Sequence, residues 1–409
     1  MVVFRQARAH ADGLPAQKGL AGVQNFRPFG RIDLHAFQET DMKKLFLFLL
    51  AWGFAGVLQA APKSAQAIID LLNSRSSGSP KGYAEAAAVV AADAEKGRPL
   101  QQFVLALVSR EADAPAAARL SDEKRAAYLD ASRDKIKALA EKKGNALAWY
   151  LLSLENNDEK MLRRAADGDN VQALNAWGSL NVVKAVRDGK LTPEAREETL
   201  KRCFDCFLRA ANQDDPNGLY NLGTCYARGI GCERDGIKAF ASFKRAAKAG
   251  HPEALNNMGA CYREGLSVAV DPAAATRYFA KSAELGNAFG ELNYAFALSR
   301  GEGVPQNDAL AFEYFRRSAE QGNAAALNAY AMCYFHGKGA KKNEARALEL
   351  LRLAAQKGVP QAMENIALFY DRGLGGVEKD EKQALVWKVR ARAARGSREA
   401  AAWLNKNGY

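Results

Sequence analysis

Histidine is nearly absent from this 409-residue chain: there are four, and only His251 and His336 lie beyond the first sixty positions. A Ser-His-Asp hydrolase needs a placed imidazole, and a zinc site needs several donors that two histidines and six cysteines barely supply. No segment alternates apolar and polar residues as a half-buried strand does, which excludes sheet-based architectures. The apolar run Leu45–Leu58 is fourteen residues long, short of the about twenty that a membrane-spanning helix needs. Lys and Arg outnumber Asp and Glu 58 to 46, yet no basic cluster is interleaved with aromatics, and no nucleic-acid module is recognisable. The basic residues, such as Lys238, Lys244, Arg245 and Lys248, read as a solvated outer face.

What is present is a phrase that returns every 36 residues. Its junction glycine stands at 250, 286, 322 and 358. In the copy 252–283, Leu255, Met258, Cys261 and Tyr262 share one helical face, and Gly265 closes that helix. The closing column reads Gly229, Gly265, Gly301, Gly337 and Gly373, as expected for a left-handed C′ residue. Asp235, Asp271, Asn307 and Asn343 are placed to cap a second helix. That helix buries Phe243, Phe279, Phe315 and Leu351. Small residues at Gly223, Gly259, Ala295, Ala331 and Ala367 let the two helices approach closely, while Tyr226, Tyr262, Tyr334 and Tyr370 read as core filling. One repeat is a helical hairpin that cannot bury its apolar face alone, so the fold expected is an all-α, α/α solenoid of stacked antiparallel hairpins.

The phrase Leu222-Gly223-Thr224-Cys225-Tyr226-Ala227-Arg228-Gly229, with Lys238 to Ala247 as its second helix, resembles the Sel-1-like repeat, a relative of the tetratricopeptide repeat. The regular copies span about 213–396. Divergent helical hairpins are expected over 81–212, with helices near Tyr83–Lys96, Leu100–Arg110, Ser121–Lys143 and Ala146–Leu154. An insertion of about nine residues falls around Arg187 to Pro193. A truncated helix in 397–409 serves as a solvent-facing cap.

Met42-Lys43-Lys44, the apolar run and Gln59-Ala60-Ala61 form a secretory signal peptide over 42–60, cleaved after Ala60. The chain is therefore expected to be periplasmic or secreted, with no membrane span after cleavage. Residues 1–41 read as a mis-assigned or disordered leader. Of the net charge of +12, seven basic against four acidic residues lie in the first sixty, leaving +9 on the exported part. Such an excess favours anionic partners; export argues against nucleic acid.

In an oxidising compartment two cysteine pairs are open to bridging: Cys225 with Cys232, if the loop folds back, and Cys203 with Cys206 along a helix. No metal site, cofactor or catalytic set is expected. Gly229-Ile230-Gly231, Gly301-Glu302-Gly303 and Gly337-Lys338-Gly339 end helices instead of following strands, unlike phosphate loops. Ser121-x-x-Lys124 and Ser132-x-x-Lys135 lack the companion elements of penicillin-recognising enzymes.

The function expected is a non-enzymatic scaffold that binds a protein or peptide, an envelope or host protein, on the concave surface lined by the first helices. Asn221, Asn257, Asn293 and Asn365 share one position there and either engage a partner's backbone or hydrogen-bond between repeats. The resemblance also brings in an envelope hydrolase or β-lactamase-like alternative, because some cysteine-rich secreted members carry that assignment. Those members place a cysteine pair in nearly every repeat; here Cys261 and Cys333 lack such partners.

Overall fold

The computed structural model describes residues 80–110, 116–187 and 191–409. The leader, the signal peptide and its cleavage point lie outside them. The described residues fold as eighteen α-helices and one short 3₁₀ turn, with no strand among them. The first seven helices are α1 (Pro80–Glu95), α2 (Pro99–Val108), α3 (Asp122–Lys143), α4 (Ala146–Asn156), α5 (Glu159–Asp167), α6 (Val171–Arg187) and α7 (Pro193–Asn212). Four hairpins follow whose helices are each thirteen residues long: α8 (Pro216–Arg228) with α9 (Gly236–Lys248), α10 (Pro252–Glu264) with α11 (Pro272–Glu284), α12 (Ala288–Arg300) with α13 (Asp308–Glu320), and α14 (Ala324–His336) with α15 (Glu344–Gln356). The chain ends in α16 (Pro360–Arg372), α17 (Glu381–Ala394) and α18 (Arg398–Lys406). Each helix packs on the one before and the one after it, so the architecture is an α solenoid.

Every boundary has a local cause. Gly229, Gly265, Gly301, Gly337 and Gly373 adopt φ between 65° and 72°, ending the first helix of each hairpin in the left-handed region. Asp235, Asp271, Asn307 and Asn343 then accept an N–H three residues on, opening the second. The next repeat's first helix is capped in the same way by Asp215, His251, Asn287 and Asn323.

Inside each hairpin the small-residue column has a visible purpose. A β-carbon on Gly223 would stand 2.7 Å from the Phe243 ring, and one on Gly259 2.5 Å from Phe279. Between hairpins an aromatic clasp recurs. Tyr226, Tyr262 and Tyr334 pack on Phe204, Phe240 and Phe312 of the preceding second helix, with ring centroids 5.5, 6.3 and 5.3 Å apart. Phe207, Phe243, Phe279, Phe315 and Leu351, one repeat apart, form the buried spine. Each such side chain is worth about 1.5–3 kcal/mol by burial.

The second glycine of the Gly-x-Gly loops does a different job from the first. A β-carbon on Gly231, Gly303 or Gly339 would fall 2.1–2.3 Å from the carbonyl oxygen of Leu200, Pro272 or Asp308. The loops of Gly303 and Gly339 are thus seated on the first residue of α11 and of α13, and that of Gly231 on Leu200, the eighth residue of α7. This register aligns Leu200 with the first residues of α9, α11 and α13, so residues 193–199 of α7 are extra. The insertion is spent largely as helix: α6 runs on to Arg187 and α7 starts early, at Pro193. Residues 188–190 lie outside the described set.

Candidate functional site

The asparagine row is held in a ladder between repeats. Asn293 Nδ2 donates to Asn256 Oδ1 at 2.8 Å, and Asn365 Nδ2 to Asn328 Oδ1 at 2.9 Å. Asn221 Nδ2 donates to Asn175 Oδ1 at 3.2 Å, and Asn175 in turn donates to Asp215 at 2.9 Å. Asn293 Oδ1 also accepts from Arg263 at 3.0 Å. Asn221, Asn293 and Asn365 remain half-buried, whereas Asn257 is buried and its Nδ2 has no hydrogen-bond partner. At one boundary Leu292 and Ala329 stand in the ladder positions and bury an apolar contact surface instead. A carboxamide has two donors and two acceptor lone pairs, so a ladder bond or two leaves each half-buried asparagine capacity for a partner.

A buried polar cluster lies where Tyr220 meets the next repeat. His251 caps α10, its Nδ1 accepting the Ala254 N–H at 3.3 Å, and its Nε2 meets Asn217 Oδ1 at 3.2 Å. Its ring stacks on Tyr220 at 4.5 Å and 16°. Glu253 Oε2 sits 3.3 Å from Nδ1. Burial holds His251 down at about 3, so the imidazole is neutral, and pushes the Glu253 carboxyl up to about 7. Neutrality suits the cap, because only an unprotonated Nδ1 can accept the helix N–H. The sequence offered one clue to this role: His251 occupies the column held by Asp215, Asn287 and Asn323.

The Sel1 repeat family matches over 200–215, 216–251, 252–287, 288–323, 324–359 and 360–387. Residues 200–387 are Sel1 repeats. A crystal structure of a Sel1 repeat protein from Oxalobacter formigenes is similar at 24% identity, covering 60% of this chain and 96% of that one, with a TM-score of 0.51. A protective antigen present in uropathogenic Escherichia coli strains, displaying an SLR fold, is similar at 25% identity over 77% of this chain and 65% of that one, with a TM-score of 0.52. No curated protein matches. Sel1 repeats are an interaction module, and the chain carries six matched segments of them.

Against these Sel1 repeats the remaining candidates find places. All six cysteines stand as free thiols; Cys203, Cys206, Cys225, Cys261 and Cys333 are buried, while Cys232 is half-buried. Cys203 and Cys232 lie near Cys225, while Cys203 also lies near Cys206, which is buried with Arg209 and Asp205 nearby. Burial pushes Cys203, Cys206 and Cys261 up to about 12, which keeps them protonated and poor nucleophiles. Ser121 Oγ caps α3 by accepting from Lys124 N at 3.2 Å. Ser132 is fully buried, its hydroxyl donating to Tyr128 O at 2.5 Å. No group of three or more His, Cys, Asp or Glu among the described residues could hold a metal ion, and no described helix is long and apolar enough to cross a membrane.

Proposed function

We propose that the chain is an exported, non-enzymatic scaffold that holds an envelope or host protein, or a peptide segment of one, on its first-helix surface. The observation that carries this reading is the carboxamide ladder. Asn175–Asn221, Asn256–Asn293 and Asn328–Asn365 line the first-helix layer as half-buried or buried polar pairs. A row of amides fixed at one-repeat spacing presents pre-oriented donors and acceptors to an extended backbone, and little side-chain entropy remains to be lost on binding. The family supports the interaction role. Export is supported by Met42-Lys43-Lys44, the Leu45–Leu58 run and the small residues around Ala60; the Escherichia coli relative's standing as a protective antigen fits an exposed product.

The test is recovery of partners from an envelope extract by the mature chain, compared with an Asn256→Ala/Asn328→Ala variant, both held well below their melting temperatures so that both are folded. Loss of a specific partner supports the ladder as the binding row. Unchanged recovery with a lower melting temperature would make the ladder purely structural. Hydrolysis of a chromogenic β-lactam above background would overturn the non-enzymatic reading.

A further inference from the structure

Charge is divided unevenly between the two layers of the solenoid. The second helices α9, α11, α13, α15 and α17 carry fourteen Lys and Arg against seven Asp and Glu, whereas the first helices α8, α10, α12, α14 and α16 carry four against five. The excess peaks on α9, which holds Lys238, Lys244, Arg245 and Lys248 and no carboxylate. In α13 the same columns neutralise themselves, because Arg316 is clamped by Glu313 and Glu320 of its own helix. In α9 the arginine's place is taken by Lys244, and the places of the two clamps by Ala241 and Lys248. Ile237, Ala241, Lys244 and Lys248, at helical spacing, form one exposed stripe flanked by Lys238 and Arg245.

The carboxylates nearby do not cancel this stripe. Asp214 takes Arg245 at 2.6 Å, Asp235 caps α9 and meets Lys238 at 3.4 Å, and Asp271 caps α11. Glu233 and Glu284 remain, against Arg234, Lys244, Lys248, Arg277 and Lys281, and none of these seven forms an ion pair among the described residues. Aliphatic side chains stand uncovered at the same place: Ile237 is 77% exposed and Val270 61%. A β-carbon on Gly236 would stand 3.3 Å from Ser267 Oγ, so the uncharged loop Leu266-Ser267-Val268-Ala269-Val270 lies against the start of α9. Cations beside isolated exposed aliphatics, on a helix roughly 20 Å long, suit the headgroup region of an anionic bilayer. That region takes ammonium and guanidinium groups at the phosphates and small apolar side chains just beneath them, with no shape complementarity required.

We propose that the outer face of α9, with the Val270 loop beside it, seats the solenoid on an anionic phospholipid surface. Lys244 and Lys248 contact the headgroups, while Ile237 and Val270 enter the interface. The asparagine ladder lies on the other layer and is left open, so the surface is independent of the partner row. The test is co-sedimentation of the mature chain with vesicles of phosphatidylcholine alone, or of phosphatidylcholine and phosphatidylglycerol in equal parts. Binding is expected only with the mixed vesicles. It should fall roughly tenfold or more in Lys244→Gln/Lys248→Gln, and roughly fivefold or more in Ile237→Ser/Val270→Ser. Arg316→Gln, at the neutralised column, should bind as the parent does. All of these positions lie on the surface, and circular dichroism of each variant checks that it is folded. Equal sedimentation with the two kinds of vesicle, or undiminished binding by Lys244→Gln/Lys248→Gln, overturns the proposal. Absence of vesicle binding together with capture of soluble polyglutamate that survives Ile237→Ser/Val270→Ser overturns it in favour of an acidic protein partner.

Discussion

Asn293 and Asn256 are joined Nδ2 to Oδ1 at 2.8 Å across a repeat boundary. They lie 37 residues apart, one repeat and one position. The offset makes the ladder diagonal, so each rung ties the first helix of one hairpin to that of the next. Removing one amide leaves the other partly desolvated without its bond. Asn256→Ala should cost about 1 kcal/mol. A double-mutant cycle with Asn293→Ala should return a coupling of about 0.5–1.5 kcal/mol in chemical denaturation. Additive single effects would show that the rung carries no interaction.

The two kinds of positive-φ glycine should separate cleanly under substitution. Gly286 has φ +76° with nothing within 4 Å of a built β-carbon, so Gly286→Ala meets only the left-handed penalty of about 1–2 kcal/mol. Gly303 has φ +69°, and its β-carbon would fall 2.3 Å from the Pro272 oxygen. Gly303→Ala must also unseat the loop from α11, and about 2–4 kcal/mol in total is expected. Equal losses in urea melts would mean that the second glycine of the loop is not a packing residue.

That distinction shows where the sequence was readable and where it was not. The closing glycines, the Asp and Asn caps and the Phe column follow from local rules, because caps and helix faces depend on residues three or four apart. The docking of Gly303 on Pro272, and of Tyr262 on Phe240, joins residues 31 and 22 positions apart, so no local pattern reveals the contact even when both columns are visible. The asparagine row was visible as a column, but its bonding partners are not in that column: Asn256 and Asn328 stand one position earlier, and Tyr220 and Leu292 hold that place in other copies. The cap role of His251 was hidden for a similar reason, since imidazole rarely substitutes for a carboxamide at a helix start. The insertion near Arg187 to Pro193 was legible as extra length; its conversion into an overhang of α7 depends on the seat of Gly231 on Leu200.

The cysteines give a prediction that turns on compartment. In the reduced chain Cys232, half-buried beside the α7 overhang, should be alkylated first, while Cys203, Cys206, Cys225, Cys261 and Cys333 stay protected until unfolding. In an oxidising compartment Cys225 is the thiol expected to pair with Cys232, which lies near it across the loop that follows α8. Peptide mapping without reductant should find the Cys225–Cys232 bridge. A bridge between Cys203 and Cys206, or none after oxidative refolding, would contradict that pairing.

The His251–Glu253 pair should give an unusual dependence of stability on pH. Glu253 titrates near 7 in the folded chain against an ordinary 4.5, so by itself it removes stability as pH rises from about 4.5 through 7. His251 titrates near 3 against an ordinary 6.5, so by itself it removes stability as pH falls from about 6.5 toward 3. Between about 4.5 and 6.5 the folded pair holds one proton, on Glu253, and the unfolded pair also holds one, on the histidine. The two slopes cancel, and the pair contributes a flat profile over that window; below 4.5 the unfolded chain binds the extra proton and stability falls. Glu253→Gln removes one arm. The variant should gain stability at pH 8, by at most about 3 kcal/mol, and should acquire a new loss on acidification from 6.5 to 5 that the parent lacks. Melting temperatures across pH 4–9 for the parent and Glu253→Gln decide it, and parallel curves would mean that the carboxylate at His251 keeps an ordinary titration.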